Sequence, residues 1–528
     1  MVLDTVAKYR TVSIFIFYQI NKYKQKLKTT MANHKEWCSQ QTVNLLQEEL
    51  RIPTLNEIKD YLASLTSEEA KQTINDFPLT YIFDCLNNTN VEQIELANEV
   101  LTLCMSHLSI GETLNRYSIS IERALRHPHS SVKTMGLNEI LRNLQSEDQV
   151  NSLGRQTTLV KCIFECIADN DLAVAKVALE IIYKLAVSRN CLQIILSQEI
   201  LQNIHRLRAT NEIVRLRFNE LFVNVSVSSE SSMQILDSHG LLSIILEDLD
   251  TDDILLMMNI IQLLSQLVMT KHGYAYLEVH GITSKILSKL ECEDSIPLLL
   301  CEPGVLKFFG AMAYRKPEQI LVKYAHIIHR IFSIIEETNS TLIGVALDTL
   351  GYIGETNEGK FSLDSIENKI PETIKVIYHN IQTYPTEIKI RALNCLENLF
   401  RICEFDSKIT NLVRKWYCSV DGNLMTLIYD FAKNPFNEIR FAAFRVLDAL
   451  SSHNWGQEIF RNTPGFIEFL LDRRSENFKD CKEAKYNIIR VLSLSSVFDH
   501  STQTRLQEYV SEGPFYVQAV TEVAIEGD

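Results

Sequence analysis

Glycine and proline are scarce in this chain, at 17 and 11 of 528 residues. A turn-rich β architecture needs both at its bends, so their shortage argues against one and favours helices. Paired cysteine motifs are missing as well. The twelve cysteines are scattered, none forms C-x-x-C, and most sit in apolar helical runs, the pattern of buried reduced thiols in a cytosolic or nuclear protein. Long hydrophobic runs are absent. The apolar stretch TVSIFIFYQI at 11–20 is about half the length needed to cross a bilayer, and lysines follow it where a signal peptide would have a small-residue cleavage site. No G-x-S-x-G, H-E-x-x-H, kinase or zinc-deaminase pattern occurs. Positive charge is outnumbered, 52 Lys and Arg against 66 Asp and Glu, a net −14. That balance disfavours a general nucleic-acid binder and permits basic protein partners.

What is present is a globular composition, 46% apolar and 22% charged, and a repeat. Length alone would suggest about three or four domains. Instead an aliphatic-then-small-apolar pattern recurs as VEQIELANEVL from Val91, VKTMGLNEIL from Val132, VAKVALEIIYKL from Val174, VRLRFNELFVNV from Val214 and ILLMMNIIQLL from Ile254. Successive steps are 41, 42, 40 and 40 residues. The pattern returns as LIGVALDTL from Leu342, IKIRALNCLENL from Ile388 and IRFAAFRVLDAL from Ile439, with PGVLKFFGAMAY at 303–314 between. Polar clusters stand ahead of these helices, at His127-Pro128-His129-Ser130-Ser131, Asp169-Asn170-Asp171, Asp250-Thr251-Asp252-Asp253 and Asn434-Pro435-Phe436-Asn437, and supply caps or breakers.

A helical period near 40 residues points to HEAT or armadillo repeats. The expected fold is all-α, a HEAT/armadillo-type α-solenoid forming a right-handed superhelix. Residues 1–30 read as a poorly ordered extension, with MANHKEW at 31–37 as the natural start. Residues 31–505 read as one solenoid and 506–528 as a cap or tail, SEGPFYV at 511–517 lying over the last repeat.

One stretch could overturn this reading. Gly354-Glu-Thr-Asn-Glu-Gly359-Lys360 fits G-x-x-x-x-G-K, the phosphate-binding loop. Its Mg²⁺-binding hydroxyl is replaced by Phe361, Glu355 and Glu358 would oppose phosphates, and the preceding segment has helical period. It reads as an inter-helix turn. Cys162 and Cys166, one helical turn apart, and His326 and His329 lack partners at ligand spacing, so no metal or cofactor is expected. Arg206, Arg208, Arg215 and Arg217 form a basic patch read as solvated charge, and Trp37, Trp416 and Trp455 are too dispersed for a cofactor box.

The surface of such a fold is where function is sought. Outward positions of the second helices give one register, Asn138, Glu180, Glu220, Asp348, Asn394 and Arg445. One turn later come Arg142, Lys184, Asn224, Tyr352 and Asn398. This polar ladder is the candidate protein-binding groove. No catalytic residue is assigned.

KFFGAMA at 307–313, IGVALDTLGYIGETNEGK at 343–360, EIKIRALNCL at 387–396, PGFIEFLLDR at 464–473, KDCKEAKYNIIRVL at 479–492 and SEGPFYV at 511–517 occur in this order. Together they resemble the family of the 26S proteasome non-ATPase regulatory subunit 5 over roughly residues 40–528. The resemblance implies a proteasome-base assembly chaperone, an α-solenoid and no enzyme. It implies binding to the C-terminal domain of one ATPase subunit, regulatory subunit 7, within a precursor that also holds a second ATPase and non-ATPase subunit 1. It further implies departure before the mature 26S particle. From the charge, the thiols and the short apolar runs, neither nucleic acid nor membrane is expected as partner and the expected location is cytoplasmic or nuclear; the free protein is expected to be a monomer. The alternative is an armadillo-type transport or signalling adaptor, weakened because the tryptophans do not fall in the repeat register.

Overall fold

The computed structural model describes residues 35–516, apart from Arg189, Asp252, 291–294, 338–340, Phe405 and Asp421. The expected extension at 1–30 and the start at Met31 lie outside the described residues, as does Val517. Every regular element among the described residues is a helix. Where one solenoid over 31–505 is expected, the chain divides into two compact units, one up to Leu242 and one from Ser243 onward.

In the first unit, α1 (Arg51–Ser64), α2 (Val91–His107), α3 (Ser130–Arg142), α4 (Leu172–Val187) and α5 (Glu212–Ser228) form a ladder in which each helix packs on the next. In the second unit the ladder is α6 (Ile254–Val268), α7 (Ser295–Arg315), α8 (Ile343–Ile353), α9 (Thr386–Phe400), α10 (Asn437–Ser451) and α11 (Lys479–Leu492). Shorter helices form a second layer, so a repeat holds three helices. Asn357–Asp364, Lys369–Asn380 and α9 make one such set. These ladder helices carry the recurring segments found in the sequence.

The small-apolar signature explains the ladder. In α9 the residues Ala392, Leu393, Leu396, Leu399 and Phe400 are buried, and in α10 Ala442, Ala443, Val446, Leu447 and Leu450. Alanine on the contacting face lets neighbouring ladder helices approach while leucine and phenylalanine fill the space around it. A single repeat would leave that face in water; stacking buries it. The polar clusters start the helices partly as expected. Asp171 accepts from Ala173 N at 2.8 Å and Asp253 from Leu256 N at 3.0 Å. At α10 the cap position is Phe436, whose amide is instead held by Asn434 at 3.0 Å.

The stack ends on a further helix, α12 (His500–Glu512), which packs on α11 and on Phe466–Leu471. The expected boundary at 505/506 falls inside α12. Its Leu506 and Tyr509 are buried, whereas Phe515 and Tyr516 stay 51% and 44% exposed. Arg473 fastens this end, donating to Gly513 O at 2.8 Å and Tyr509 O at 3.2 Å with its guanidinium 3.7 Å over the Tyr509 ring.

A corner recurs where a ladder helix gives way to the next short helix. Gly273, Gly359 and Gly456 each occupy the third position of that short helix. At each, a Cβ would run into a backbone oxygen of the preceding ladder helix, that of Leu267, Ile353 or Leu450. In an unconstrained helix, glycine to alanine stabilises by up to about 1 kcal/mol. Here the clash reverses the sign, so Gly359→Ala lowers stability by about 1–3 kcal/mol, read as a lower urea midpoint with unchanged slope.

Candidate functional site

The loop-like motif is this corner, and the structure redraws its limits. Ladder helix α8 ends at Ile353, Gly354 is its C-cap, and Thr356 caps the helix Asn357–Asp364 by accepting from Gly359 N at 3.0 Å. The turn is therefore only 354–356, and Gly359 and Lys360 are helical. Lys360 is fully buried; its Nζ donates to Gly354 O, and to Glu355 O at 3.2 Å. Burial lowers its ammonium to about 8. The lysine satisfies carbonyls of the C-cap and turn that follow α8, which have no partner within the helix, and offers nothing to a phosphate.

The ladder candidates are all at least partly exposed, but most of their charge is already engaged. Arg142 forks onto Glu139 at 2.7 and 2.8 Å and donates to Met105 O at 2.6 Å and Leu108 O at 3.3 Å. It thus closes the C-terminal end of α2. Glu180 pairs with Lys184 at 3.3 Å. Asn138 and Glu220 are exposed and Asn224 is half-buried; Glu220 has no ion-pair partner among the described residues.

In the second unit Asp348 pairs with Arg391 of the next ladder helix, which also holds Glu387 at 2.7 Å. Burial nevertheless pushes the Asp348 carboxyl up. Tyr352 stacks on Tyr314 with ring centroids 4.4 Å apart and planes 5° apart, and burial pushes its phenol to about 12. Asn394 is half-buried. Asn398 and Arg445 line a trough along α9, α10 and α11 together with Arg401, Phe441 and Asp448.

Sequence reasoning missed the centre of this arrangement. Glu397, 2% exposed, lies 3.1 Å from Arg401 and 2.8 Å from Arg445, and Arg401 reaches Asp448 at 2.8 Å. A buried carboxylate so held joins α9 to α10. The signal was an acid in the apolar register with arginine three or four residues on, Glu139 with Arg142 and Glu397 with Arg401.

Of the basic patch only Arg206 stands as solvated charge, its side chain 67% exposed; the others are drawn into the fold. Arg208 is buried and bonds Asn219 at 2.8 Å, Arg217 donates to Ile167 O and Asp169 O at 2.8 Å, and Arg206 meets Asn203 at 2.8 Å and Glu165 at 3.4 Å. Arg215 also has an interaction within the fold. Cys162 and Cys166 are core residues, and burial pushes the Cys166 thiol to about 12. Among the described residues no group of three or more His, Cys, Asp or Glu is placed to share a metal ion, His326 and His329 included, and no helix is long and apolar enough to cross a membrane. Trp416 is buried with its indole N–H on Asp364 at 2.9 Å, and Trp37 lies against Tyr61.

Stacked three-helix repeats with a polar ladder define an all-α solenoid of HEAT/armadillo type. Importin beta has a similar fold, with a TM-score of 0.56 at 12% identity over 88% of this chain and 60% of that one. The family described as proteasome non-ATPase 26S subunit matches residues 34–528, and the chain belongs to it. It is 29% identical over 498 residues, 92% of this chain and 99% of the relative, to the 26S proteasome non-ATPase regulatory subunit 5 of Bos taurus. To the protein of the same name from Drosophila melanogaster it is 27% identical over 461 residues, 84% and 89% of the two chains.

Two tests follow from the buried charges. Removing Glu397 leaves Arg445 without its ion pair and Arg401 with Asp448 alone, so Glu397→Ala costs about 1–3 kcal/mol. Asp348→Asn, at a pair left 40% and 32% exposed, costs less than about 1 kcal/mol; urea denaturation ranks them. For Lys360 the unfolded chain keeps its proton to about 10.4, while the folded chain sheds it near 8. Burial therefore penalises folding below about pH 8 and the penalty fades as pH rises. Stability of the parent relative to Lys360→Met rises between those values, by at most about 1.4 kcal/mol per pH unit.

Proposed function

We propose that this chain is an assembly chaperone for the base of the 26S regulatory particle. It holds the C-terminal domain of an ATPase subunit, regulatory subunit 7, on its ladder face, within a precursor containing a second ATPase and non-ATPase subunit 1. It leaves before the mature particle. The observation that carries this reading is the family match over residues 34–528, with relatives of the same name aligned along 99% of their length. The fold supports it, since stacked repeats offer an extended surface for a folded partner. The corner at Lys360, turned inward, gives no support to a nucleotide-dependent activity of the chain itself. Its work is binding, in the cytoplasm or the nucleus, with the precursors it serves.

Release needs no chemistry in this chain. A partner that gains new contacts elsewhere as assembly proceeds shifts the equilibrium away from the chaperone complex when those contacts compete for one surface. The experiment is calorimetric titration of the full chain with the isolated C-terminal domain of regulatory subunit 7. One-to-one binding is expected, weakened about fivefold by Glu180→Lys with Glu220→Lys on the ladder face. Glu278→Lys, in the second layer, is expected to leave it unchanged. Absence of binding by the parent would end this assignment, and equal loss at Glu278 would move the surface off the ladder.

A further inference from the structure

The ladder face is not uniform in charge. In the first unit Arg142 is taken up by Glu139 and Lys184 by Glu180, and in α8 Asp348 is taken up by Arg391. The trough of about 560 Å³ on α9, α10 and α11 differs. It is lined by two arginines, Arg401 and Arg445, and five carboxylates, Glu355, Glu397, Asp448, Asp480 and Glu483. Both arginines are committed to Glu397 and Asp448, so two against five leaves three negative charges. Asp480 and Glu355 have no cation within ion-pair distance among the described residues, and Glu483 meets only Lys479, at 3.9 Å.

Two further features accompany the excess acid. Phe441 lines the same trough and keeps 37% of its surface in water, an apolar area that packing on α10 leaves uncovered. Asn398 and Asn487 also line it, and neither carboxamide has a hydrogen-bond partner among the described residues. A carboxamide offers both a donor and an acceptor, as a peptide backbone requires. An aromatic ring beside carboxylates suits a long cationic side chain, whose stem lies on the ring while its head meets the acids. A second trough, around Tyr314, Pro317, Val322 and Phe361, balances Arg315 and Lys316 against Glu318 and Glu358 and selects no charge.

We infer that the α9–α11 trough seats an extended basic segment of a protein partner, with an arginine or lysine side chain on Phe441 directed at Asp480 and Glu483. Asn398 and Asn487 take its main chain. This rests on the protein-binding reading above and adds the chemistry of the bound segment.

The trough contains its own reporter. Cys403 lines it and is exposed, while Cys418 is an exposed thiol that does not line it. Maleimide alkylation of both is followed by mass spectrometry on the full chain. An alternating alanine–arginine peptide of about 12 residues is expected to slow Cys403 at least about fivefold and leave Cys418 unchanged. An alternating alanine–glutamate peptide of the same length does neither. Asp480→Asn with Glu483→Gln abolishes the protection and Phe441→Ala reduces it, whereas Glu278→Gln, in the second layer, preserves it. Thermal melting checks that each variant is folded. The inference is overturned if the basic peptide gives no protection, if the acidic one protects equally, or if protection survives loss of both acids. Protection without binding of the ATPase domain would sink the proposed function and keep the trough; binding without protection would do the reverse.

Discussion

The end of an α-helix leaves carbonyls with no partner in the helix, and a stack of short helices multiplies such ends. In this chain long basic side chains repeatedly meet them. Lys360 closes α8, Arg142 closes α2, Arg217 reaches Ile167 O and Asp169 O, and Lys285 reaches Leu246 O at 3.1 Å. Lys485, also pushed down to about 8 by burial, donates to Asp472 O at 2.6 Å, and Arg473 closes α12. A cation at a helix C-terminus is favoured by the helix dipole as well as by the hydrogen bond. Where that cation comes from another helix, the same bond that finishes one helix fixes its neighbour.

This constraint explains what was legible in the sequence and what was not. The ladder was legible because burial of a helix face imposes a local period, visible in Ala392, Leu393 and Leu396 or Ala442, Val446 and Leu447. The exposed register was legible for the same reason, being the complement of the buried one. The roles of the cations were not. Arg217 finds its carbonyls 48 and 50 residues away and Arg142 its own at 34 and 37. No local pattern distinguishes such an arginine from a solvated one, so the four arginines around Val214 resembled a patch.

The turn at Gly354 shows the same limit at closer range. Glycine and lysine five and six residues beyond it match a phosphate loop by spacing, yet each serves the corner. Gly359 does so by lacking a Cβ where the Ile353 carbonyl presses, and Lys360 by reaching back to Gly354 O and Glu355 O. Gly273 repeats the first device at Leu267, after a threonine cap like Thr356. The repeat of the corner in the structure, more than the motif itself, identifies what the glycine is for.

Internal pairing of charge also shapes what the ladder face presents. A carboxylate such as Glu397, held by an arginine at the end of α9 and another from α10, contributes to the join between successive repeats and leaves little field outside. Exposed pairs such as Glu180 with Lys184 are individually weak and present no net charge to a partner. A face built this way is mostly neutral at short range even though the chain carries −14 overall. Recognition then falls to the few places where acid is unanswered. Attraction confined to a small, solvent-reached region speeds encounter more than it deepens affinity. A surface of that kind can hold a partner firmly enough to be selective and still yield it when a larger interface competes.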